Sequence, residues 1–182
     1  MQIHPPLSFH EKGKRPRNED NIYPPTGQAA DKNTVFLVCD GVGGAVSGDI
    51  ASRMVSDAFG LAFETKKADA KSLQATLSDV QKQIDNYLLE NPDSKGMGTT
   101  LTFLQLFTEG GAIIAHAGDS RVYHIRGNRI LFCTYDHSLI NELKKKGMHE
   151  EAERAKSNII TRALQGNSVK KIELDTHTIT KI

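Results

Sequence analysis

The sequence predicts an α+β fold in which helices cover an antiparallel sheet. Apolar residues at helical spacing are concentrated in residues 47–90, and short apolar runs separated by tight turns are concentrated in residues 99–135. Helices and strands that are grouped, rather than alternating along the chain, favour an antiparallel sheet. The chain has 182 residues, 38% of them hydrophobic and 25% charged, which is typical of one globular domain.

The first elements follow from periodicity. The run Val35–Asp40 predicts a buried strand, and the apolar spacing after it predicts a helix over about residues 47–63. A second apolar stripe from Leu73 to Leu88 predicts another helix. This helix is expected to end near Asn91, because the residue before a proline is pushed out of the helical region.

The strand-rich half contains the runs TTLTFLQLF, AIIAHA, RVYHI and RILFCTY, which tight turns separate. This pattern predicts a four-stranded antiparallel meander. A helix ending at Gly147 and a short acidic helix or loop, HEEAERA, are predicted next. The alternation in Lys171–Thr180 predicts a last strand, and Leu7–Phe9 is a further short strand candidate.

Bulk properties exclude several classes of partner. The net charge of +1 provides no field that favours nucleic acid or membrane. No apolar run approaches the roughly 20 residues of a membrane span. The first residues, MQIHPPLSFH, lack the features of a signal peptide. The two cysteines lie in strand-like runs, so we predict buried thiols in a cytoplasmic protein.

Four carboxylates stand where a strand ends or a turn begins. These are Glu19, Asp20, Asp40 and Asp119. Singly, each is well explained as a turn residue. Together, at one edge of a sheet, they would raise one another's pKa unless a cation lay between them. Oxygen donors without Cys or His partners favour Mg²⁺ or Mn²⁺.

The glycines at positions 41, 43 and 44 directly follow Asp40. The carbonyl of Gly41 could approach an ion that Asp40 also binds, and the later glycines would allow a sharp turn. A strand-to-helix connection that only needs flexible backbone explains the run equally well. A dinucleotide-binding fingerprint needs Gly where Val46 stands, and a phosphate-binding loop needs Lys where Asp49 stands, so both fail.

A basic loop precedes the first carboxylates. Arg15 is four residues before Glu19, and a planar guanidinium can hold two phosphate oxygens. Lys12, Lys14 and Arg17 flank it. A solvated basic loop without a binding role would account for these residues as well.

Six motifs occur in one order from about Ser8 to Gly166: RPRNED, VCDGVGG, GMGTTLTFL, HAGDSRVYHIRGN, YDHSLINELKKKG and NIITRALQGN. Together they resemble the metal-dependent protein serine/threonine phosphatases, the PPM or type-2C family, in its compact bacterial form. The resemblance implies a β-sandwich of two antiparallel sheets flanked by helices, with a two-metal centre at one end. It also implies hydrolysis of phosphoserine and phosphothreonine in proteins, opposing a serine/threonine kinase, by water that two Mn²⁺ or Mg²⁺ ions activate.

The resemblance assigns roles by position. Arg15 matches the phosphate-binding arginine, and Gly41 matches a residue whose carbonyl reaches one metal. Metal-binding carboxylates are implied at Glu19, Asp20, the bridging Asp40, and Asp119, which matches an additional, weaker site. The segment 98–100 is expected beneath the site, and residues 137–164 resemble a flap beside the substrate.

Two departures from the family affect these expectations. Val42 stands where many relatives have a histidine proposed as general acid, so no proton donor carries over, and His137 is a candidate. The family also continues with S-D-G and G-x-D-N motifs that supply metal ligands, whereas this sequence ends at THTITKI. Residues 1–182 are therefore expected to form one incomplete domain without the last strands. The alternative function is a catalytically incomplete fragment or pseudophosphatase that binds phosphorylated partners.

Overall fold

The structure, a computed structural model, describes residues 4–42, 47–167 and 171–180. The strands are β1 (Asp20–Tyr23), β2 (Val35–Val42), β3 (Gly98–Thr99), β4 (Leu101–Leu106), β5 (Ala112–Ala117), β6 (Tyr123–Arg126), β7 (Arg129–Cys133), β8 (Leu164–Gln165) and β9 (Asp175–Ile179). The helices are α1 (Gly48–Phe63), α2 (Ala70–Glu90), α3 (Leu139–Lys145) and α4 (His149–Arg154), with a 3-10 turn at Pro92–Ser94.

Within these residues, a seven-stranded antiparallel sheet carries the fold. Its strand order is β8-β3-β2-β4-β5-β9, and β1 pairs with β2. The strands β6 and β7 form a separate two-stranded sheet. The predicted α+β class, with antiparallel sheets and helices, is confirmed.

Strand β2 is central because its side chains alternate between two environments. Val35, Leu37 and Cys39 are buried on one face, where α1 packs against the sheet. Phe103 of β4 continues this core, and its ring meets that of Phe63 at a centroid distance of 5.3 Å. Helix α1 is therefore fixed over the strand that carries Asp40 near its end, which positions the candidate site.

Helix α2 begins with a capping box. The Asp69 carboxylate accepts the Ser72 backbone N–H at 2.7 Å, and the Ser72 hydroxyl lies 3.0 Å from the Asp69 backbone nitrogen. These bonds satisfy donors that a helix N-terminus otherwise leaves without partners. The bond to the Ser72 N–H lowers the pKa of Asp69 below its ordinary value.

Asp69→Ala is expected to lower the thermal midpoint of unfolding at pH 7. Because the pKa of Asp69 is depressed in the folded state, its contribution is present above the ordinary value of 3.8 and lost as pH falls through the folded value. Thermal melts at pH 7 and at a pH well below 3.8 test this, because the difference in melting temperature between the two proteins should shrink at the lower pH. Asp79→Ala, an exposed residue within the same helix, is the control and should change little. Equal losses for both variants at pH 7 would contradict the capping role.

Two predicted elements differ from the structure, and one observed strand was not predicted. The four-stranded meander is wrong in one pairing, because β5 pairs with β9, while β6 and β7 form a hairpin around a Gly127–Asn128 turn. Both turn residues have positive φ, 53° and 61°, as a two-residue type I′ turn requires. The segment Leu7–Phe9 is not a strand, since no described strand pairs with it and Leu7 is fully exposed. Strand β1 has no counterpart among the elements that periodicity predicts.

The predicted helices are confirmed as α1, α2 and α3, and the acidic segment predicted as a helix or a loop is the helix α4. The strand predicted at Val35–Asp40 is confirmed as part of β2. The prediction for Gly43 and Gly44 falls outside the described residues. Among the described residues, no helix combines the length and apolar character needed to cross a membrane.

Candidate metal and phosphate site

An open cavity of about 720 Å³ lies where β1 and β2 meet the basic loop. All six residues predicted for the site line this cavity: Arg15, Glu19, Asp20, Asp40, Gly41 and Asp119. They come from three separate regions of the sequence, so the fold itself assembles them. Val42, which stands at the family's histidine position, also lines the cavity.

The strand register places the first carboxylates side by side. Asp20 of β1 is the antiparallel partner of Asp40 in β2, so the two side chains leave the same face of the sheet. Burial raises the pKa of Asp40 to about 6, and the charge and hydrogen bond of Asp20 and the charge of Asp119 act in the same direction. Arg15 opposes them by lowering this pKa. The three carboxylates and the guanidinium therefore share one electrostatic environment.

The backbone of Asp40 is fixed by the two threonines that follow Gly98. The Thr100 N–H donates to the Asp40 carbonyl at 2.8 Å, and the Thr99 hydroxyl donates to the same carbonyl at 3.0 Å. In return, the Asp40 N–H donates to the Thr100 hydroxyl at 2.9 Å. These bonds explain why the segment 98–100 lies against the site. They also restrain the backbone that carries the Asp40 carboxylate near the end of β2.

Gly41 is required by the close approach of three backbone segments. Its N–H donates to the Glu19 carbonyl at 3.1 Å. A Cβ at this position would lie 2.5 Å from the carbonyl oxygens of both Glu19 and Gly48. The absence of a side chain thus lets Glu19, the end of β2 and the start of α1 meet, which is a steric reason beyond those the sequence suggested.

Asp119 enters the cavity from the connection between β5 and β6. This connection is bonded to the segment that holds Asp40, because the Ser120 and Thr100 hydroxyls lie 3.0 Å apart. Thr100 therefore contacts both the Asp40 backbone and the loop that carries Asp119. Thr100 is therefore one of the residues that relate the positions of the two carboxylates.

The basic wall of the cavity is formed by Lys12, Arg15 and Arg17. Arg17 donates to Asp49 at 3.3 Å, at the start of α1. The charge of Arg15 instead reaches Asp40, as its effect on that pKa shows. Lys14, which flanks them in the sequence, does not line the cavity. A guanidinium facing a group of carboxylates suits the recognition of phosphate bound between them.

Sequence reasoning named only part of the lining. Further residues come from the basic loop and from the segment before β8: Glu11, Asn18, Asn158, Ile159, Ile160, Ala163 and Gln165. The resemblance to a flap covered most of the second group as a region but singled out no side chain. Glu11 and Asn18 carried no signal, because polar residues are common in any exposed loop.

His137 does not line the cavity. It is buried, and its ring nitrogens face the Gly118 N–H and the Asp175 carboxylate, each at 3.0 Å. The structure therefore gives His137 no contact with the space where a leaving group would stand. Its candidacy as proton donor is not supported.

The donor set fits a hard divalent cation. Asp20, Asp40, Asp119 and Glu19 offer carboxylate oxygens in one cavity, with the Gly41 backbone beside them. Burial raises the pKa of Asp40 most, and the charges of Asp20 and Asp119 raise it further, so a positive ion between these carboxylates would relieve their repulsion. Oxygen-only ligation is typical of Mg²⁺ and Mn²⁺ sites.

Comparisons with known proteins agree with this geometry. Residues 9–176 match the family model of protein phosphatase 2C. The chain is 34% identical over 176 residues to the serine/threonine phosphatase stp of Listeria innocua, covering 91% of this chain and 67% of the relative. The chain thus spans about two thirds of the length of this curated relative.

Solved structures show the same fold. The serine/threonine phosphatase Stp1 from Staphylococcus aureus superposes with a TM-score of 0.76 at 32% identity, covering 98% of this chain and 73% of that one. The catalytic domain of the phosphatase PstP, in complex with two manganese ions, has a TM-score of 0.68 at 29% identity, covering 90% of this chain and 67% of that one. The chain belongs to the protein phosphatase 2C family of serine/threonine phosphatases.

Proposed function

We propose that this chain hydrolyses phosphoserine and phosphothreonine in proteins, using two Mn²⁺ or Mg²⁺ ions held in the cavity, with Asp119 at a third, weaker site. The observation that carries the proposal is the convergence of Asp20, Asp40, Asp119 and Arg15 on one cavity. The manganese ions bound to the related PstP domain support the choice of metal.

The carboxylates would hold the cations. Asp20 and Asp119 both act on the charge of Asp40, so Asp40 would be the ligand shared by the cations. Glu19, Asp20 and the Gly41 carbonyl would complete the set from the same wall. Divalent ions bound there would lower the pKa of water and neutralise phosphate charge.

Arg15 would bind the phosphoryl oxygens that do not react. It stands on the basic wall, so a phosphate between it and the carboxylates would be oriented and its charge balanced. The open cavity suits a phosphorylated side chain presented on a protein surface. The opposing activity is that of a serine/threonine kinase, and the two free cysteines suit a reducing cytoplasm.

The test is hydrolysis of a phosphothreonine peptide by the chain with Mn²⁺ and with EDTA. Turnover that requires Mn²⁺ is expected, and Arg15→Ala should raise KM and lower kcat by about 10²-fold in all, as for the loss of one charged donor. Lys14→Ala, in the same loop but outside the cavity, is the matched control. Phosphopeptide binding without turnover would instead favour the binding function, and turnover in EDTA would contradict metal dependence.

A further inference from the structure

A second group of titratable side chains lies outside the cavity lining. The nearest donor atoms of His116, His137 and Asp175 all lie within 4.8 Å of one another. The two imidazole rings are stacked, with centroids 4.6 Å apart. Two imidazoles and a carboxylate are a common ligand set for a transition metal, so the hydrogen bonds of the group decide its role.

The hydrogen bonds of His137 exclude a metal there. A backbone N–H can only donate, so the Gly118 N–H at 3.0 Å makes Nδ1 of His137 an acceptor. In the neutral ring the proton is then on Nε2, which donates to Asp175 at 3.0 Å. Neither nitrogen of His137 retains a lone pair for a cation.

Burial supports the neutral ring. It lowers the pKa of His137 below its ordinary value, and the nearby Arg162 and His116 act in the same direction. The hydrogen bond and charge of Asp175 oppose them. The net lowering keeps Nδ1 available as an acceptor near neutral pH.

Gly118 is bonded to His137 twice. Besides the bond to Nδ1, the Gly118 carbonyl accepts the backbone N–H of His137 at 2.9 Å. On the opposite side of the loop, the Ser120 carbonyl accepts the Thr102 hydroxyl at 3.1 Å. The loop Gly118–Ser120 is therefore held on both sides, and Asp119 is its central residue.

The same histidine reaches the other wall of the cavity. Its carbonyl accepts the Thr161 N–H at 2.8 Å, and Asp175 accepts from Arg162 at 2.6 Å. Thr161 and Arg162 belong to the segment whose neighbours, Ile160 and Ala163, line the cavity. One buried residue thus joins the loop that carries Asp119 to this segment.

We infer that His137 is a positioning residue, which holds Asp119 toward the cation site by bonding Gly118 through Nδ1 and is itself oriented by Asp175. This inference rests on the proposed function for the cation-binding role of Asp119. It predicts that the Nδ1 contact matters more for cation binding at Asp119 than the Nε2 contact does.

Two substitutions separate these contacts. The side-chain oxygen of His137→Asn can occupy the Nδ1 position, whereas the side-chain nitrogen of His137→Gln can reach the Nε2 position. Hydrogen exchange of the Gly118 amide, followed by NMR on metal-free protein, is the first measurement. Protection is expected in the unsubstituted chain and in His137→Asn, and it should be lost in His137→Gln.

The Mn²⁺ concentration that half-saturates the weakest site, measured by direct binding and by turnover, is the second measurement. We expect His137→Gln to raise it about tenfold, as for loss of an outer-shell partner, and His137→Asn to raise it much less. Thermal melts in EDTA report the general loss of stability that each substitution causes. If His137 only stabilised the fold, the change in half-saturating Mn²⁺ concentration of each variant would follow its change in melting temperature.

The outcomes are distinguishable. Equal Gly118 exchange in all three proteins, or an unchanged Mn²⁺ response in His137→Gln, would overturn the positioning role. If the unsubstituted chain binds no Mn²⁺, the proposed function fails, and Gly118 exchange still decides whether His137 holds the loop.

Discussion

Asp40→Asn is expected to reduce Mn²⁺-dependent turnover of a phosphothreonine peptide by at least about 10²–10³-fold, the loss seen when one preorganised charge-stabilising group is removed. Asp40 is the residue on which Asp20, Asp119 and Arg15 all act. An amide keeps the shape of the side chain but cannot bridge cations with two anionic oxygens. Steady-state kinetics with saturating Mn²⁺ measure the effect.

The same substitution, although it lowers turnover, should stabilise the metal-free protein against unfolding at neutral pH. The pKa of Asp40 is raised from 3.8 to about 6, so the folded state binds more protons than the unfolded state between these values. Stability contributed at this position therefore falls as pH rises from about 4 to about 6. In EDTA at pH 7.5, Asp40→Asn should melt at a higher temperature than the unsubstituted chain, and the difference should vanish near pH 4.

Mn²⁺ should reverse this order, because the unsubstituted chain, which keeps all the proposed ligands, gains more stability from cation binding than Asp40→Asn does. Asp79→Asn removes an exposed carboxylate from α2 and serves as the control, with melting and turnover unchanged. Full activity in Asp40→Asn, or a lower melting temperature in EDTA, would show that the carboxylate does not occupy the environment described.

Gly41→Ala is expected to destabilise the protein by about 3 kcal/mol or more, at the upper end of the range for overpacking. The new methyl group would meet the Glu19 and Gly48 carbonyl oxygens at 2.5 Å, and both are backbone atoms that no side-chain rotation can move. Urea denaturation measures the loss. Cation binding should weaken as well, because Glu19 and the end of β2 would have to separate.

The control for Gly41→Ala is Gly127→Ala. Gly127 has φ 53° in the hairpin turn, and nothing lies within 4 Å of the added Cβ. Only the backbone strain of about 1–2 kcal/mol is expected there, with cation binding unchanged. Similar losses in both variants would contradict the close approach of the three segments as the reason for glycine at position 41, because only Gly127 of the two has a positive φ.

The chemical character of the site could be predicted from the sequence better than the strand pairing and the segments around it could. The place of Asp40 and Gly41 in the cavity could be predicted, because an apolar strand that runs into a carboxylate and a glycine is an unusual local pattern. The pairing of β5 with β9 could not, because it joins residues about 60 positions apart and no local pattern specifies such a partner. The place of Ile160 in the cavity lining could not be predicted for the same reason, since it depends on the segment before β8 lying beside the basic loop.

His137 shows the limit of reasoning from residue type. A histidine near acidic motifs suggests proton transfer, but only coordinates reveal that its two nitrogens are already committed to Gly118 and Asp175. The sequence signal for a positioning role is weak, because a histidine that bonds backbone and a histidine that faces a cavity cannot be distinguished by sequence alone.

Under the proposed function, the pairing of Asp20 with Asp40 would make cation binding depend on the register of β1 and β2. A one-residue slip of β1 in the direction that puts Asn21 beside Asp40 would turn Asp20 to the opposite face of the sheet. Misregistered chains would then lack one anionic ligand and bind Mn²⁺ more weakly. Cations bound as proposed would draw the population toward the native alignment by mass action, and would thereby favour the strand register that binds them.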